Sequence, residues 1–262
     1  MYNFEVVTPA SVADAVAALA EDEAQALGGG QTLIPTLKQR LAAPSKLVSL
    51  TGIAEMKGIS TDDAGRICIG GGTVHADVAA GVPSYPALAG LAGKIGDPAV
   101  RNRGTIGGSI ANNDPSACYP SAALASNAII VTNLREIAAD DYFLGMFETA
   151  LDEGEIITQV KFPVPEKAAY IKFEQPASRF SLVGVFLAKY ADGVRVAITG
   201  ASNNGVFRWT EAEAALSGNF AASALEGLSA SADDMIADLH GTAAYRAHLV
   251  AVLTKRAVIA AV

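Results

Sequence analysis

Residues Gln25-Ala-Leu-Gly-Gly-Gly-Gln-Thr-Leu-Ile-Pro-Thr-Leu37 pass from a short apolar strand, through three glycines, into a segment of helical spacing. Leu33, Leu37 and Leu41 fall on one side of that segment, as the 3.6-residue period requires. A strand that breaks at glycines and re-forms as a helix is the unit of a mixed α and β architecture. Working outward toward the N-terminus, Asn3 to Val7 reads as a strand. Ser11 with Asp14 three residues later is a helix-start signal, and the helix runs over Ala13 to Leu19. Downstream, Lys46 to Leu50 reads as the next strand.

The same arrangement returns further on. Arg66 to Ile69 is a strand, Gly70-Gly71-Gly72 a turn, and Val74 to Ala80 and Tyr85 to Ile95 are helices. Gly96 to about Asn113 is expected to be a long loop carrying Thr105-Ile106-Gly107-Gly108-Ser109. Tyr119 to Ser126 is helical, and Ala128 to Thr132 and Ile156 to Phe162 are strands. Pro163-Val164-Pro165 then breaks any regular element. Beyond it lie three strand-like runs, Tyr170 to Phe173, Leu182 to Tyr190 and Val194 to Thr199. Asp192-Gly193 is a hairpin signal between the last two. Helical stretches over Thr210 to Leu216 and Thr242 to Val258 close the chain. A small antiparallel sheet with helices is therefore expected after residue 165. The glycine turns have no fixed period, so a solenoid is not indicated.

Composition narrows the function. The 262 residues are 51% hydrophobic, as a packed globular chain requires. No apolar run reaches the roughly 18–20 residues of a membrane span. Asn3, Glu5 and Asp14 interrupt the apolar core that a signal peptide would need, so a cytoplasmic location is expected. A net charge of −8 argues against nucleic acid as a partner. Arg101-Asn102-Arg103, the one dense basic stretch, fits either a solvated loop or an anion contact. The two cysteines, Cys68 and Cys118, are too few for an iron–sulfur cluster or a four-ligand zinc site. Cys68 sits in an apolar run and reads as a small buried hydrophobe. The three histidines show no metal-binding spacing. Any redox group would have to be organic.

The glycine clusters at 28–30, 70–72 and 107–108 are the candidate ligand features. Bare backbone can approach a ligand closely, and its N–H groups can converge on an anion, with help from a following helix. Gly28-Gly29-Gly30-Gln31-Thr32 and Thr105-Ile106-Gly107-Gly108-Ser109 have that layout, and two such nests could clamp two phosphates. Tight structural turns would look the same. Neither cluster is G-x-G-x-x-G, so a Rossmann dinucleotide fold is not indicated, and no Walker motif is present.

Several blocks carry a resemblance. Leu27-Gly-Gly-Gly-Gln-Thr-Leu-Ile-Pro-Thr-Leu-Lys38 with Arg40 to Leu50, then Asp97-Pro-Ala-Val-Arg-Asn-Arg-Gly-Thr-Ile-Gly-Gly-Ser-Ile-Ala-Asn-Asn-Asp-Pro115, resemble the medium, FAD-binding subunits of the carbon monoxide dehydrogenase and xanthine dehydrogenase family of molybdenum hydroxylases. Ala139 to Phe143, Ala150 to Ile157, Ala177 to Ser181 and Tyr245-Arg246 continue it in order across nearly the whole chain. The resemblance implies an α+β fold. Residues 1–165 would form an FAD-binding, PCMH-type region of two α/β subdomains with a break near 55–60, and 166–262 a C-terminal domain. It implies that Gly28, Gly29, Gly30, Gln31 and Thr32, with Thr105, Ile106, Gly107, Gly108 and Ser109, hold the FAD pyrophosphate and its surroundings. Asp114 would lie on the adenosine side, Ile157 would offer backbone contacts beside the isoalloxazine ring, and Phe180 and Lys172 would stand near the flavin. Many members have a second aspartate where this chain has Cys118, which removes a ribose acceptor; Cys118 then reads as a helix-start residue.

In that family a large partner subunit carries the molybdenum cofactor and hydroxylates substrate, and a small one carries 2Fe–2S clusters. The complex is a dimer of heterotrimers, and electrons reach FAD in this chain before leaving to an acceptor. No catalytic acid or base is therefore assigned, and no metal site. His75 reads as a plain helix-start histidine rather than a covalent flavin link. A self-sufficient flavoenzyme of the same superfamily and a flavin-free assembly subunit are the alternatives.

Overall fold

The computed structural model describes residues 1–262. The first unit is β1 (Glu5–Val7), α1 (Val12–Leu19), β2 (Ala24–Leu27), α2 (Leu33–Lys38) and β3 (Lys46–Ser49). Its three strands are parallel in the order β1-β3-β2, so each connection must cross over, and α1 and α2 do so. Ser11 caps α1: its hydroxyl accepts from the Asp14 amide at 3.1 Å. Ala15 and Leu19, one turn apart, give α1 its buried face. The core beneath is thin, six residues in all, and it includes Met56 and Ile156 from outside the unit. This small sheet therefore depends on the rest of the chain to complete its core.

The second unit holds β4 (Ile59–Thr61), β5 (Ile67–Gly70), α3 (His75–Gly81), α4 (Pro86–Gly93), α5 (Pro98–Arg101), α6 (Ile106–Asn112), α7 (Tyr119–Ala125), β6 (Ile129–Thr132), β7 (Glu136–Ala138), α8 (Ala139–Tyr142), β8 (Phe143–Gly145), β9 (Glu148–Thr149) and β10 (Ile157–Phe162). Its main sheet is antiparallel, in the order β4-β5-β10-β6-β7. The expected loop from Gly96 to Asn113 instead contains α5 and α6. Asp97 and Thr105 start these helices, their side chains accepting from the amides of Val100 (3.0 Å) and Gly108 (3.1 Å). Asp97-Pro98 was readable as a cap followed by a first-position proline.

The third unit is β11 (Lys167–Glu174), β12 (Ser181–Tyr190), β13 (Gly193–Ser202), β14 (Gly205–Arg208), α9 (Thr210–Gly218) and α10 (Ala243–Ala260), with the strands in antiparallel order β11-β12-β13-β14. The β12–β13 hairpin forms one residue earlier than its sequence signal. Tyr190 pairs with Gly193, so Ala191 and Asp192 make the turn and Gly193 takes φ +151°. Strand β12 is buried along most of its length because both its faces are covered. Val183, Val185 and Leu187 pack toward α9 and α10, in a 21-residue core. Phe186 and Ala188, on the alternate face, join Tyr119 and Ala122 of α7 in a 29-residue core that crosses Pro163–Pro165. No helix is long and apolar enough to cross a membrane.

Candidate cofactor-binding site

One large cleft, of about 1000 Å³, opens where loops of all three units meet. That is the upper end of the range for small-molecule pockets, roughly 300–1,000 Å³. Its wall takes Gly28 to Thr32 from the first unit, Gly71, Gly72, His75 and Gly104 to Asp114 segments from the second, and Lys172 with Pro176 to Phe180 from the third.

The loops approach so closely that only glycine fits at the contacts. A Cβ on Gly29 would lie 1.8 Å from the Arg103 carbonyl oxygen and 2.6 Å from Gly104 Cα. A Cβ on Gly107 would lie 2.6 Å from Gly71 O, and one on Gly71 would lie 2.2 Å from Ile157 O. Gly30 adds a left-handed φ of +70°. The three glycine clusters are thus stitched to one another and to the start of β10.

The two candidate nests differ. None of the amides of Gly28, Gly29, Gly30, Gln31 and Thr32 donates to another protein atom, so five consecutive N–H groups remain for a ligand. The other loop's amides are engaged. Ile106 N donates to Thr73 O (3.1 Å), Gly107 N to Gly71 O (2.9 Å) and Ser109 N to Thr105 O (3.0 Å), while Gly108 N donates to the Thr105 hydroxyl. Only the Thr105 amide is left in that stretch. Ile106 does not line the cleft; its side chain is fully buried in the 29-residue core. The helix following the first loop, α2, has six residues, so the free amides rather than a helix dipole are what that loop can offer an anion.

The remaining predicted residues come to the same cleft. Asn113, at a left-handed φ of +41°, ends α6 and donates its amide to Gly145 O and Glu148 O, which leaves Asp114 at the wall. Burial raises the Asp114 carboxyl pKa above its ordinary value, while the Ser116 amide, donating at 2.8 Å, works against this. Ile157 lines the cleft at the head of β10. Lys172 is buried, its Nζ donating to Lys94 O (2.7 Å) and Arg179 O (2.8 Å), with Cys118 Sγ at 3.8 Å as a weak third partner. Phe180 is 53% exposed at the rim. Cys118 stands at the start of α7 and Cys68 is buried in β5; both thiols are free.

Other lining residues lie outside the set that the resemblance assigned to FAD. Gly71 and Gly72 line the cleft beside Gly107. Glu155 lines it too. Burial alone would raise its carboxyl, but hydrogen bonds from Arg135 and Thr132 overcome this and hold it at about 2. Arg101, outside the cleft lining, is half-buried, and its Nη1 donates to Ile95 O and Gly96 O. His75 is buried in the wall, and its unpartnered Nδ1 sets it apart from an ordinary helix-start residue. No three His, Cys, Asp or Glu side chains gather into a metal-ligating group.

Comparison with known proteins gives the family. The family described as the FAD binding domain in molybdopterin dehydrogenase matches residues 2–165. The carbon monoxide dehydrogenase medium chain of Hydrogenophaga pseudoflava is 32% identical, over 99% of this chain and 97% of its own. The nicotine 6-hydroxylase medium subunit of Paenarthrobacter nicotinovorans is 33% identical, over 97% and 95%. The solved carbon monoxide dehydrogenase from Hydrogenophaga pseudoflava that lacks the Mo-pyranopterin moiety superposes with a TM-score of 0.89 at 34% identity, covering 98% of this chain and 96% of that one. The chain therefore belongs to the family of FAD-binding domains of molybdopterin dehydrogenases. Within it the chain is of the medium, FAD-binding subunit type found in oxidoreductase complexes of the carbon monoxide and xanthine dehydrogenase kind, and the α+β fold expected from the sequence is the one observed.

Proposed function

We propose that this chain is the electron-transfer subunit of a heteromeric molybdenum hydroxylase. It takes electrons from the 2Fe–2S clusters of a small partner subunit and passes them to an external acceptor, while a large molybdenum-cofactor subunit hydroxylates the substrate. The complex is a dimer of heterotrimers in the cytoplasm. The observation that carries the reading is the run of five free amides, Gly28 to Thr32, in a dinucleotide-sized cleft. The chain has only two cysteines, both buried, and no metal-ligating group. The clusters then belong to another polypeptide. The named relatives act on different molecules, carbon monoxide and nicotine, and the substrate of this complex is likewise set outside this chain.

The Gly28 to Thr32 amides and the Thr105 amide hold the pyrophosphate. Thr105, Gly107, Gly108 and Ser109 keep the opposing loop in place, and Ile106 anchors that loop in the core. Asp114 faces the adenosine side, and Ile157 supplies backbone beside the flavin ring. Lys172 places a cation where negative charge on the ring would be favoured, its weak contact to Cys118 Sγ being the one a ligand acceptor can replace. Bound FAD supplies redox chemistry that couples one-electron centres to a two-electron acceptor. Residues 1–165, with an internal break near 55–60, form the FAD-binding region, and 166–262 the second domain. Both divisions fall where one sheet gives way to the next.

The test is to purify the chain with whatever accompanies it, record the visible spectrum and assay metals. FAD near one equivalent, with a large molybdenum-bearing and a small iron–sulfur partner, is expected. FAD without partners favours a self-sufficient flavoenzyme. No flavin uptake from added FAD would overturn the reading in favour of an assembly subunit.

A further inference from the structure

Glu155, Ile156 and Ile157 line the cleft where the chain enters β10. The ladder with β6 does not fix this stretch by itself. Its register shifts between Ile157 and Gln159, and Thr132, the residue opposite Ile157, gives its amide to Arg135 O instead. A bulge of this kind frees one strand from the regular ladder and re-aims it. Side chains of the β6–β7 turn hold the stretch in place of the ladder. Asn133 takes the Ile156 amide on Oδ1 (2.7 Å) and returns its own amide to Ile156 O (3.0 Å).

The stronger hold comes from Glu155. Its side chain is fully buried, so the residue shows the cleft its backbone and turns its carboxylate away. Four donors converge on that carboxylate: Thr132 Oγ1 (2.6 Å), Arg135 Nε (3.1 Å), Arg135 Nη2 (3.0 Å) and the Asp152 amide (2.8 Å). Burial alone would raise its pKa, but these bonds hold it at about 2, so the group is an anion near neutral pH. Arg135 Nη2 also donates to Ala150 O (2.7 Å) and Asp152 Oδ2 (3.1 Å). One guanidinium, itself exposed and outside the cleft lining, thus ties residues 150, 152 and 155 to the β6–β7 turn. On its other side the same stretch meets glycine. A Cβ on Gly71 would lie 2.2 Å from Ile157 O, and Gly71 N donates to Thr158 O at 2.8 Å. The wall is held by glycine backbone on one side and by the Arg135–Glu155 pair on the other.

A guanidinium that makes two bonds to one carboxylate fixes direction as well as distance, which a point charge does not. A binding site keeps its geometry only when the residues behind it are locked by hydrogen bonds of their own. We propose that Arg135 is a positioning residue for the flavin: through the Glu155 carboxylate it sets where the Glu155–Ile157 backbone meets the isoalloxazine half of the cofactor. The inference rests on the reading of this cleft as the FAD site and of Ile157 as its contact with the flavin ring. It extends the site to a residue that touches no ligand. Other segments, Gly28 to Thr32 and Asp114, serve the pyrophosphate and the adenosine, so the effect of Arg135 is confined to the flavin end.

The test uses the full chain freed of FAD, in wild-type form and as Arg135→Gln and Arg135→Lys. Dissociation constants for FAD and for ADP are measured by calorimetry, and visible spectra are recorded at saturating FAD. ADP carries the adenosine and both phosphates but no flavin ring. A loss equivalent to about one hydrogen bond predicts that Arg135→Gln weakens FAD about 10-fold, leaves ADP within about 2-fold, and shifts the visible absorption envelope of the bound flavin. Arg135→Lys keeps the charge but not the paired bonds, so it is expected to weaken FAD about 3-fold, with ADP unchanged and the spectrum shifted in the same direction. A merely structural role gives another pattern, either equal weakening of FAD and ADP or unchanged values for both, and each of these overturns the inference. An unmoved spectrum overturns it as well. Should Arg135→Gln fail to fold, Arg135→Lys decides by the same comparison. Failure of the wild type itself to bind FAD overturns the functional reading instead.

Discussion

The Gly28–Thr32 and Thr105–Ser109 loops share adjacent glycines, a threonine and a position just before or at the start of a short helix, yet their backbones are used in opposite ways. In the first, five consecutive amides have no protein partner. In the second, four of five amides are engaged within the protein, and Ile106 is drawn fully into the core. The difference arises from what stands behind each loop. Gly28 to Thr32 rims a thin sheet with a six-residue core, while the 105–109 loop is pinned by Thr73 O, Gly71 O and the capping hydroxyl of Thr105. One loop offers donors and the other fixes their position. Glycine is needed in both, for ligand access in the first and for close backbone packing in each.

The largest effect that would test this contrast comes from the contacts themselves. Gly29→Ala puts a Cβ 1.8 Å from Arg103 O, which backbone cannot yield without separating the loops. Overpacking of this kind costs about 1–3 kcal/mol and occasionally more. Gly29→Ala is expected at the top of that range and Gly107→Ala, at 2.6 Å from Gly71 O, somewhat lower. Thermal or urea unfolding of the FAD-free chain measures both. Wild-type stability in Gly29→Ala would mean that the loops are not in contact. Gly28→Ala, which meets the Thr105 hydroxyl at 3.1 Å and Gly108 Cα at 3.8 Å, serves as the mild control.

Lys172→Met comes next. The ammonium satisfies the carbonyls of Lys94 and Arg179, and its removal leaves both without that donor. Hydrogen bonds to a charged group contribute about 1.5–3 kcal/mol, so a loss near 2 kcal/mol is expected even without flavin. An unchanged FAD-free chain would show that Lys172 does not brace the 175–180 loop. Smaller again is Thr105→Ala, which removes the cap on Gly108 N and should cost about 1 kcal/mol, with Thr105→Ser restoring it. If Thr105→Ala lowers FAD affinity with no change in FAD-free stability, the second loop is a ligand nest after all and the contrast fails.

Most of the longer strands and helices and their order were legible because strand period, glycine breaks and Pro163–Pro165 all act locally. Ser11, with Asp14, announced α1 for the same reason. The short helices α5 and α6 were missed although Asp97 and Thr105 marked their starts, because a four- or seven-residue helix has too few turns to show a period. Strands β7, β8 and β9, of two or three residues, left no pattern at all. At the site, the glycines could be named but not distinguished. Whether an amide faces a ligand or Gly71 O depends on which segment packs behind it, and that is a long-range fact. His75 was unreadable for the same reason: a histidine at a helix start has no feature in sequence that tells a partnered ring from an unpartnered one.

Phe180 should show the smallest effect on folding and a distinct one on the cofactor. It follows Ser178 and Arg179, both held at left-handed φ values of +64° and +58°, in a loop closed by Gln175 N donating to Phe180 O at 2.9 Å. Such non-glycine conformations cost on the order of 1 kcal/mol each and persist where surroundings impose them. Here the imposing contacts are the Lys172 ammonium on Arg179 O and the backbone bond, neither of which uses the Phe180 ring. The ring is half exposed, so Phe180→Ala should leave FAD-free stability within about 0.5 kcal/mol of wild type. If the ring covers the flavin, the same variant shifts the visible absorption envelope and the reduction potential of the loaded chain. A changed stability would place the ring in the fold, and an unchanged spectrum and potential would move the flavin ring away from this rim.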